Sequence, residues 1–286
     1  MQTLKRYSDR FWYMTPVSET DRPIIGAVVG DTHTLMIDAG NSEAHANLFL
    51  DALAERGISC PSLVALTHWH WDHIFGLSAL QDIVSVASRA TKSRMERLIP
   101  YNWDDESLDE RVESGIEIAF CAEAIRLEFG DTRSMQVVLP TVTFDDTLTL
   151  DLGGVHVLLK HVGGDHTADA VVAYIPEEKV LFLGDALYAN LYAPSWQMTA
   201  GETLRLLSVL DTFEAEAYVW SHGQVATRAE YEKDRDVLRH LAHITLDFPG
   251  NKELITAQYE RLTGRLVDEE EQELITFFVN GSGGEA

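Results

Sequence analysis

The chain has 286 residues, 45% of them hydrophobic, and a net charge of −24 from 46 acidic against 22 basic side chains. That length and apolar share suffice for a substantial core, in one large domain or two smaller ones, while the charge repels a phosphate backbone and argues against a nucleic-acid partner. No apolar run nears the roughly 18 residues that span a bilayer, and two cysteines, Cys60 and Cys121, cannot build a disulfide framework or a metal finger.

In chain order, residues 1–15 mix Lys5, Arg6, Asp9 and Arg10 with scattered aromatics. They lack the uninterrupted apolar centre of a secretory signal, so a cytoplasmic location is expected. Strand patterns follow at residues 23–29 and 34–38, then a helical pattern at 42–55 and a buried-looking strand at 63–67. Residues from about 88 to 140 interrupt the alternation with charged helical material, at 94–98 and 107–126, and read as a helical insertion. Strands resume at 147–152, 155–161, 170–175 and 180–184, the last two flanking the turn Pro176-Glu177-Glu178-Lys179, and a short apolar strand is expected at 217–220. Beyond Thr227 the pattern is helical to about Val279, and the closing Gly281-Ser282-Gly283-Gly284 stretch offers nothing to pack, which predicts a mobile tail. The expected organisation is a catalytic domain over residues 1–226 that carries the insertion, a C-terminal helical extension over 227–280, and a tail over 281–286.

Chemistry concentrates where strands end. Thr67-His68-Trp69-His70-Trp71-Asp72-His73 follows an apolar strand and precedes an apolar helix pattern. Three imidazoles and a carboxylate packed this closely repel when protonated and lack hydrogen bonds when buried, and a metal removes both problems. Imidazole with carboxylate suits zinc, and also iron, manganese or cobalt. From a loop leaving a strand, His68 and His70 can project towards one ion, and Asp72 and His73 can reach a second. Downstream, His166, Asp185 and His222 each follow an apolar strand, where open sheets assemble sites from distant parts of the chain.

The ordered set His-x-His-x-Asp-His, His, Asp, His is similar to the full metal-binding series of the metallo-β-lactamase superfamily. Met36-Ile37-Asp38-Ala39-Gly40 resembles that family's first strand end, and the similarity spans roughly residues 26–223. This resemblance implies an α/β fold, a four-layer αββα sandwich. It also implies two zinc ions per chain, with manganese or iron as alternatives: His68, His70 and His166 on the first, Asp72, His73 and His222 on the second, and Asp185 bridging both. The implied activity is a dinuclear hydrolase whose metal-bridging hydroxide cleaves a small carboxylic ester, lactone, thioester or amide. A mononuclear iron oxidoreductase of the persulfide-dioxygenase type and a metal-binding protein without turnover are the alternatives. True zinc β-lactamases replace the bridging aspartate, whereas Asp185 is present here, so the set is more similar to those of lactonases, thioesterases such as glyoxalase II, and phosphodiesterases. The Gly184-Asp185-Ala186-Leu187-Tyr188 run resembles acyl-homoserine lactonases, which makes Tyr188, with Asp72, a candidate catalytic side chain. No basic glutathione pocket is legible from Lys233, Arg235 or Arg239.

Around this set, Asp38 is expected to orient a ligand and Thr167 to cap local backbone. Trp69 and Trp71 are read equally as pocket walls and as packing beneath the metal loop. His33, His45, His156 and His161 are expected to be structural, and His240 and His243 to lie on a helix face. The insertion, with Tyr101, Trp103 and Phe120, is expected to form a cap over the pocket, against the alternatives of a solvated decoration or a homodimer contact. The remaining partner expected is a small-molecule substrate.

Overall fold

The computed structural model describes residues 2–131, 133 and 135–284. Two sheets form back to back, each from one contiguous part of the chain. The first contains β1 (Leu4–Arg6), β2 (Phe11–Met14), β3 (Ile25–Val29), β4 (Thr34–Ile37), β5 (Leu63–Ala65), β6 (Val84–Ser88) and β7 (Val142–Phe144), side by side in that order. Strands β1 to β4 form an antiparallel meander and β4 to β7 run parallel. Parallel neighbours need crossovers, and here helices supply them. These are α1 (Glu43–Glu55), the single turn α2 (Trp71–Ile74), and α3 (Arg89–Met95), α4 (Asp105–Glu113) and α5 (Ala119–Phe129).

The second sheet has the order β13-β12-β11-β10-β9-β8. It comprises β8 (Thr147–Asp151), β9 (His156–His161), β10 (Val171–Ile175), β11 (Val180–Gly184), β12 (Ala217–Trp220) and β13 (Val225–Thr227). Helix α6 (Ala200–Leu210) crosses over between the parallel pair β11 and β12. The chain closes with α7 (Arg228–Asp247), α8 (Lys252–Thr263) and α9 (Glu269–Gly281). Local signals set these ends: Ser42 caps α1 by accepting from His45 N–H, and α7 and α9 open on capping boxes, Thr227 with Glu230 and Asp268 with Glu271. Among the described residues no helix is long and apolar enough to cross a membrane.

Apolar side chains fill three layers. Leu35, Ile37 and Val86 of the first sheet meet Val157, Val171 and Phe182 of the second in the middle layer. Strands β4 and β11 are buried along their whole length, which is why they read as continuous apolar runs rather than alternating ones. Outside the first sheet lie α1 to α5; outside the second, α6 to α9, with Tyr231 of α7 stacked on Tyr218 of β12 at 3.7 Å. The expected αββα sandwich is therefore the observed one.

Several details differ from expectation. Residues 88–140 are the crossover from β6 to β7, and Leu108, Ala122 and Ile125 belong to the first sheet's core, so the segment is not a solvated decoration. Its expected 107–126 helix is two helices, broken before Ile118. The C-terminal helices share a hydrophobic cluster with the second sheet. Gly281 is buried in the last turn of α9, where an added Cβ would lie 2.0 Å from the Met198 carbonyl, and Ser282–Gly284 continues as a 3-10 turn. The mobile-tail expectation is thus corrected at 281–284; residues 285 and 286 lie outside the described residues.

Candidate metal centre

The site lies where both sheets end. After β5 the chain enters the Thr67–His73 loop, whose course is set by Asp38 at the end of β4. Asp38 adopts φ 63°, and its carboxylate accepts from Thr67 N–H at 2.7 Å and from the Thr67 hydroxyl at 2.9 Å. Its Oδ2 also lies 2.8 Å from Nδ1 of His73, which fixes that ring with Nε2 pointing inward. Asp38 therefore both satisfies the turn amide and orients a histidine. Val171 N–H donates to the Thr67 carbonyl at 2.8 Å and ties the second sheet to the loop. On that sheet, β11 ends in a register shift at Gly184, whose φ of 59° suits glycine, and the bend delivers Asp185 to the loop.

Seven side chains converge in two groups, His68, His70 and His166, and then Asp72, His73, Asp185 and His222. In the first group, His70 Nδ1 lies 3.1 Å from His68 Nε2 and 2.9 Å from His166 Nε2. In the second, His73 Nε2 is 2.9 Å and His222 Nε2 3.1 Å from Asp72 Oδ2. Asp185 Oδ2 reaches both groups, at 3.3 Å from His73 and His222, 3.5 Å from His166 and 3.8 Å from His68. Beyond the centre, His166 Nδ1 is 3.0 Å from the Ala189 carbonyl, and Thr67 Oγ1 is 3.0 Å from His68 Nδ1.

This donor set fits metal ions. Burial holds His68, His70 and His166 below the ordinary imidazole range, so their lone pairs are free. Burial also pushes His73 and His222 down, but the facing carboxylates, Asp72 and Asp185, outweigh it and raise both well above that range. Reciprocally, burial pushes Asp72 and Asp185 up, and His73 and His222 reverse this and hold both well below the carboxylate range. Two carboxylates thus demand positive charge between them. Asp72 Oδ2, His73 Nε2 and Asp185 Oδ1 are buried and face their neighbours without an aligned hydrogen bond, as atoms awaiting a cation do.

A cavity of about 470 Å³ opens over the two groups. Its walls are largely apolar: Val17, Trp71, Ile118, Phe120, Leu191, Tyr192, Trp196 and Phe277, with Tyr188 beside the centre. Among the described residues no Lys or Arg lines it, and Asp21 and Glu273 add carboxylates to its lining.

A family model described as Metallo-beta-lactamase superfamily matches residues 25–245. The chain belongs to that superfamily. Solved structures agree on the fold: a metallo-beta-lactamase from Pontibacter korlensis, at 20% identity and TM-score 0.58, covers 84% of this chain and 99% of its own. DIM-1 metallo-beta-lactamase, at 18% identity and TM-score 0.54, covers 85% and 97%. A double mutant of the sec-alkyl sulfatase PisA1 reaches TM-score 0.64 at 12% identity, covering 96% of this chain but 47% of its own. No curated protein matches the chain.

The structure brings all seven residues singled out in the sequence into these two groups. Trp71 lines the cavity and packs at a tilt against Phe75, while Trp69 donates from Nε1 to Thr167 Oγ1 at 3.0 Å and lies against His70. Thr167 therefore braces Trp69 and Asp169 rather than backbone. His33, His45, His156 and His161 pair with Ser62, Gln2, Glu177 and the Ala168 carbonyl, outside the centre, and His240 and His243 are exposed on α7. Of the aromatics expected in a cap, Phe120 lines the cavity; Tyr101 and Trp103 instead stack on the Arg111 guanidinium, each 4.8 Å away. Three contributors carry no sequence signal. Tyr192 lies 5.3 Å from the His70 ring and donates to Glu117 at 3.0 Å. Asp21, pushed up to about 7 by burial and by Asp72, lies against His222.

Proposed function

We propose that the protein is a dinuclear metal-dependent hydrolase of a small ester, lactone, thioester or amide whose acyl part is apolar and uncharged. The carrying observation is seven donors in two groups beneath an apolar cavity that, among the described residues, no Lys or Arg lines. His68, His70 and His166 would hold one ion and Asp72, His73 and His222 the other, with Asp185 shared; zinc suits this set, and manganese or iron are the alternatives. When bound, such ions supply a water nucleophile of lowered pKa and a Lewis acid for the scissile carbonyl oxygen.

The chain's own groups do the rest. The apolar walls hold the acyl part and exclude water. Asp38 and the Ala189 carbonyl keep His73 and His166 in single tautomers. Tyr188 presents a phenol whose proton burial and Asp185 keep in place, so it can donate to oxyanion charge as it develops on the carbonyl. Away from the ions, no Lys or Arg among the described residues lines the cavity to pair with a sulfate, phosphodiester or β-lactam carboxylate, which favours neutral substrates.

The test is a turnover screen of zinc-, manganese- and iron-loaded protein on neutral ester, lactone and thioester reporters, with β-lactam, sulfate and phosphodiester reporters beside them. Neutral reporters should turn over. One tightly held iron per chain with oxygen-dependent turnover would overturn the reading in favour of the mononuclear oxidoreductase.

A further inference from the structure

Asp21 lies far from every ligand motif in the sequence, yet its Oδ1 sits 3.3 Å from Nδ1 of His222. The opposite nitrogen of that ring, Nε2, faces Asp72 and Asp185. Among the described residues three non-glycine side chains adopt positive φ, namely Asp21 at 53°, Asp38 at 63° and Lys179 at 52°. L residues rarely adopt this conformation, and where they do the surroundings over-determine it. Lys179 belongs to the turn between β10 and β11. The other two are aspartates, and each places a carboxylate on Nδ1 of one histidine of the second group: Asp38 on His73, Asp21 on His222.

The loop that carries Asp21 is built to hold it. Val17 and Arg22 exchange two backbone hydrogen bonds of 2.9 Å across the turn, and Asp21 N–H donates to the Ser18 carbonyl at 3.2 Å. Arg22 grips Glu128 of α5 with two nitrogens, at 2.9 and 2.7 Å, and Glu128, 2% exposed, also accepts from the Ser42 hydroxyl at the head of α1. Asn41 donates to the Thr20 carbonyl at 2.7 Å, and Ile24 N–H donates to the carbonyl of Ser221, the residue before His222. Both sheets and two helices therefore fix the separation of Asp21 and His222. His222 needs such a brace, because with 26% of its side chain exposed it is the most open of the seven.

We propose that Asp21 is the positioning residue of the second metal site: it accepts the Nδ1 proton of His222 and so presents Nε2 as the ligand atom. This rests on the reading of the two groups as metal sites. The Arg22–Glu128 pair holds the loop in register, which makes the crossover helix α5 part of the second site's support without contributing a ligand.

The experiment is a cobalt titration of metal-stripped protein, read by visible absorbance and by chelator competition. Wild type should bind two ions; no binding would sink the metal-centre reading itself. Asp21→Ala should weaken one ion by roughly 10–100-fold, with a changed cobalt spectrum for that ion, and leave the other unaltered, as loss of an orienting partner does. Asp21→Asn, whose amide oxygen still accepts from Nδ1, should recover part of the lost affinity. Should Asp21→Ala fail to fold, Glu128→Gln tests the same chain of support from outside the site and should weaken the same ion by a smaller factor. If both ions weaken equally, or neither does while wild type binds two, Asp21 does not position His222.

Discussion

Tyr188 is where chemistry and packing are hardest to separate. Its ring lies 5.7 Å from Trp220, 6.0 Å from His166 and 6.2 Å from His222, so it belongs to the wall and to the centre at once. Tyr188→Phe keeps the ring and removes the donor. Losing one oxyanion donor typically costs about 10²–10³ in kcat, but ions that carry part of the charge should reduce the loss to about tenfold. Metal content and melting temperature should stay at wild type, and an unchanged kcat would make the residue structural. At this scale the sequence disclosed what strand ends and close spacing mark. His68 to His73 crowd into six positions, and His166, Asp185 and His222 each follow an apolar run. Asp21 and Tyr192 were silent because their roles come from loops that fold back over the centre, and nothing local distinguishes them from any surface aspartate or aromatic.

Among the elements, the β6–β7 crossover lends Ile118, Phe120 and Cys121 to the cavity wall. Removing residues 100–109 would take Trp103 and Leu108 out of the core, so a milder change serves better. Phe120 is 51% exposed and lines the cavity from the first turn of α5. Phe120→Ala should raise KM for reporters with long acyl chains more than for short ones, with metal content and unfolding midpoint unchanged; identical KM across the series would count against a cap. The elements that the sequence revealed are those with an uninterrupted apolar or helical period, such as β4, β11 and α7. Short edge strands β1, β7 and β13 are not legible, because each buries at most one of its three residues and so lacks the apolar run that marks the equally short β5, and their pairing is decided by neighbours distant in sequence.

For the molecule as a whole, both groups of candidate donors draw on both sheets. His68, His70, Asp72 and His73 follow β5, whereas His166, Asp185 and His222 follow β9, β11 and β12. Bound metal should therefore stabilise the entire sandwich by mass action, about 2.7 kcal/mol per site at a hundredfold excess over Kd. Melting followed by calorimetry should shift down on chelation and return, in proportion to log concentration, on adding zinc. A midpoint indifferent to metal would mean that the ions do not bridge the two sheets.

The first sheet is complete at Phe144 and the second begins at Thr147. A cut between Asp145 and Asp146 would separate the chain into two polypeptides, each a sheet with its own helices and an exposed apolar face, and neither with a full set of donors for either ion. The protein is in this sense a covalently joined heterodimer whose two members meet across one apolar layer and each supply part of both donor groups, an arrangement suited to a split reporter whose reassembly would answer to free metal.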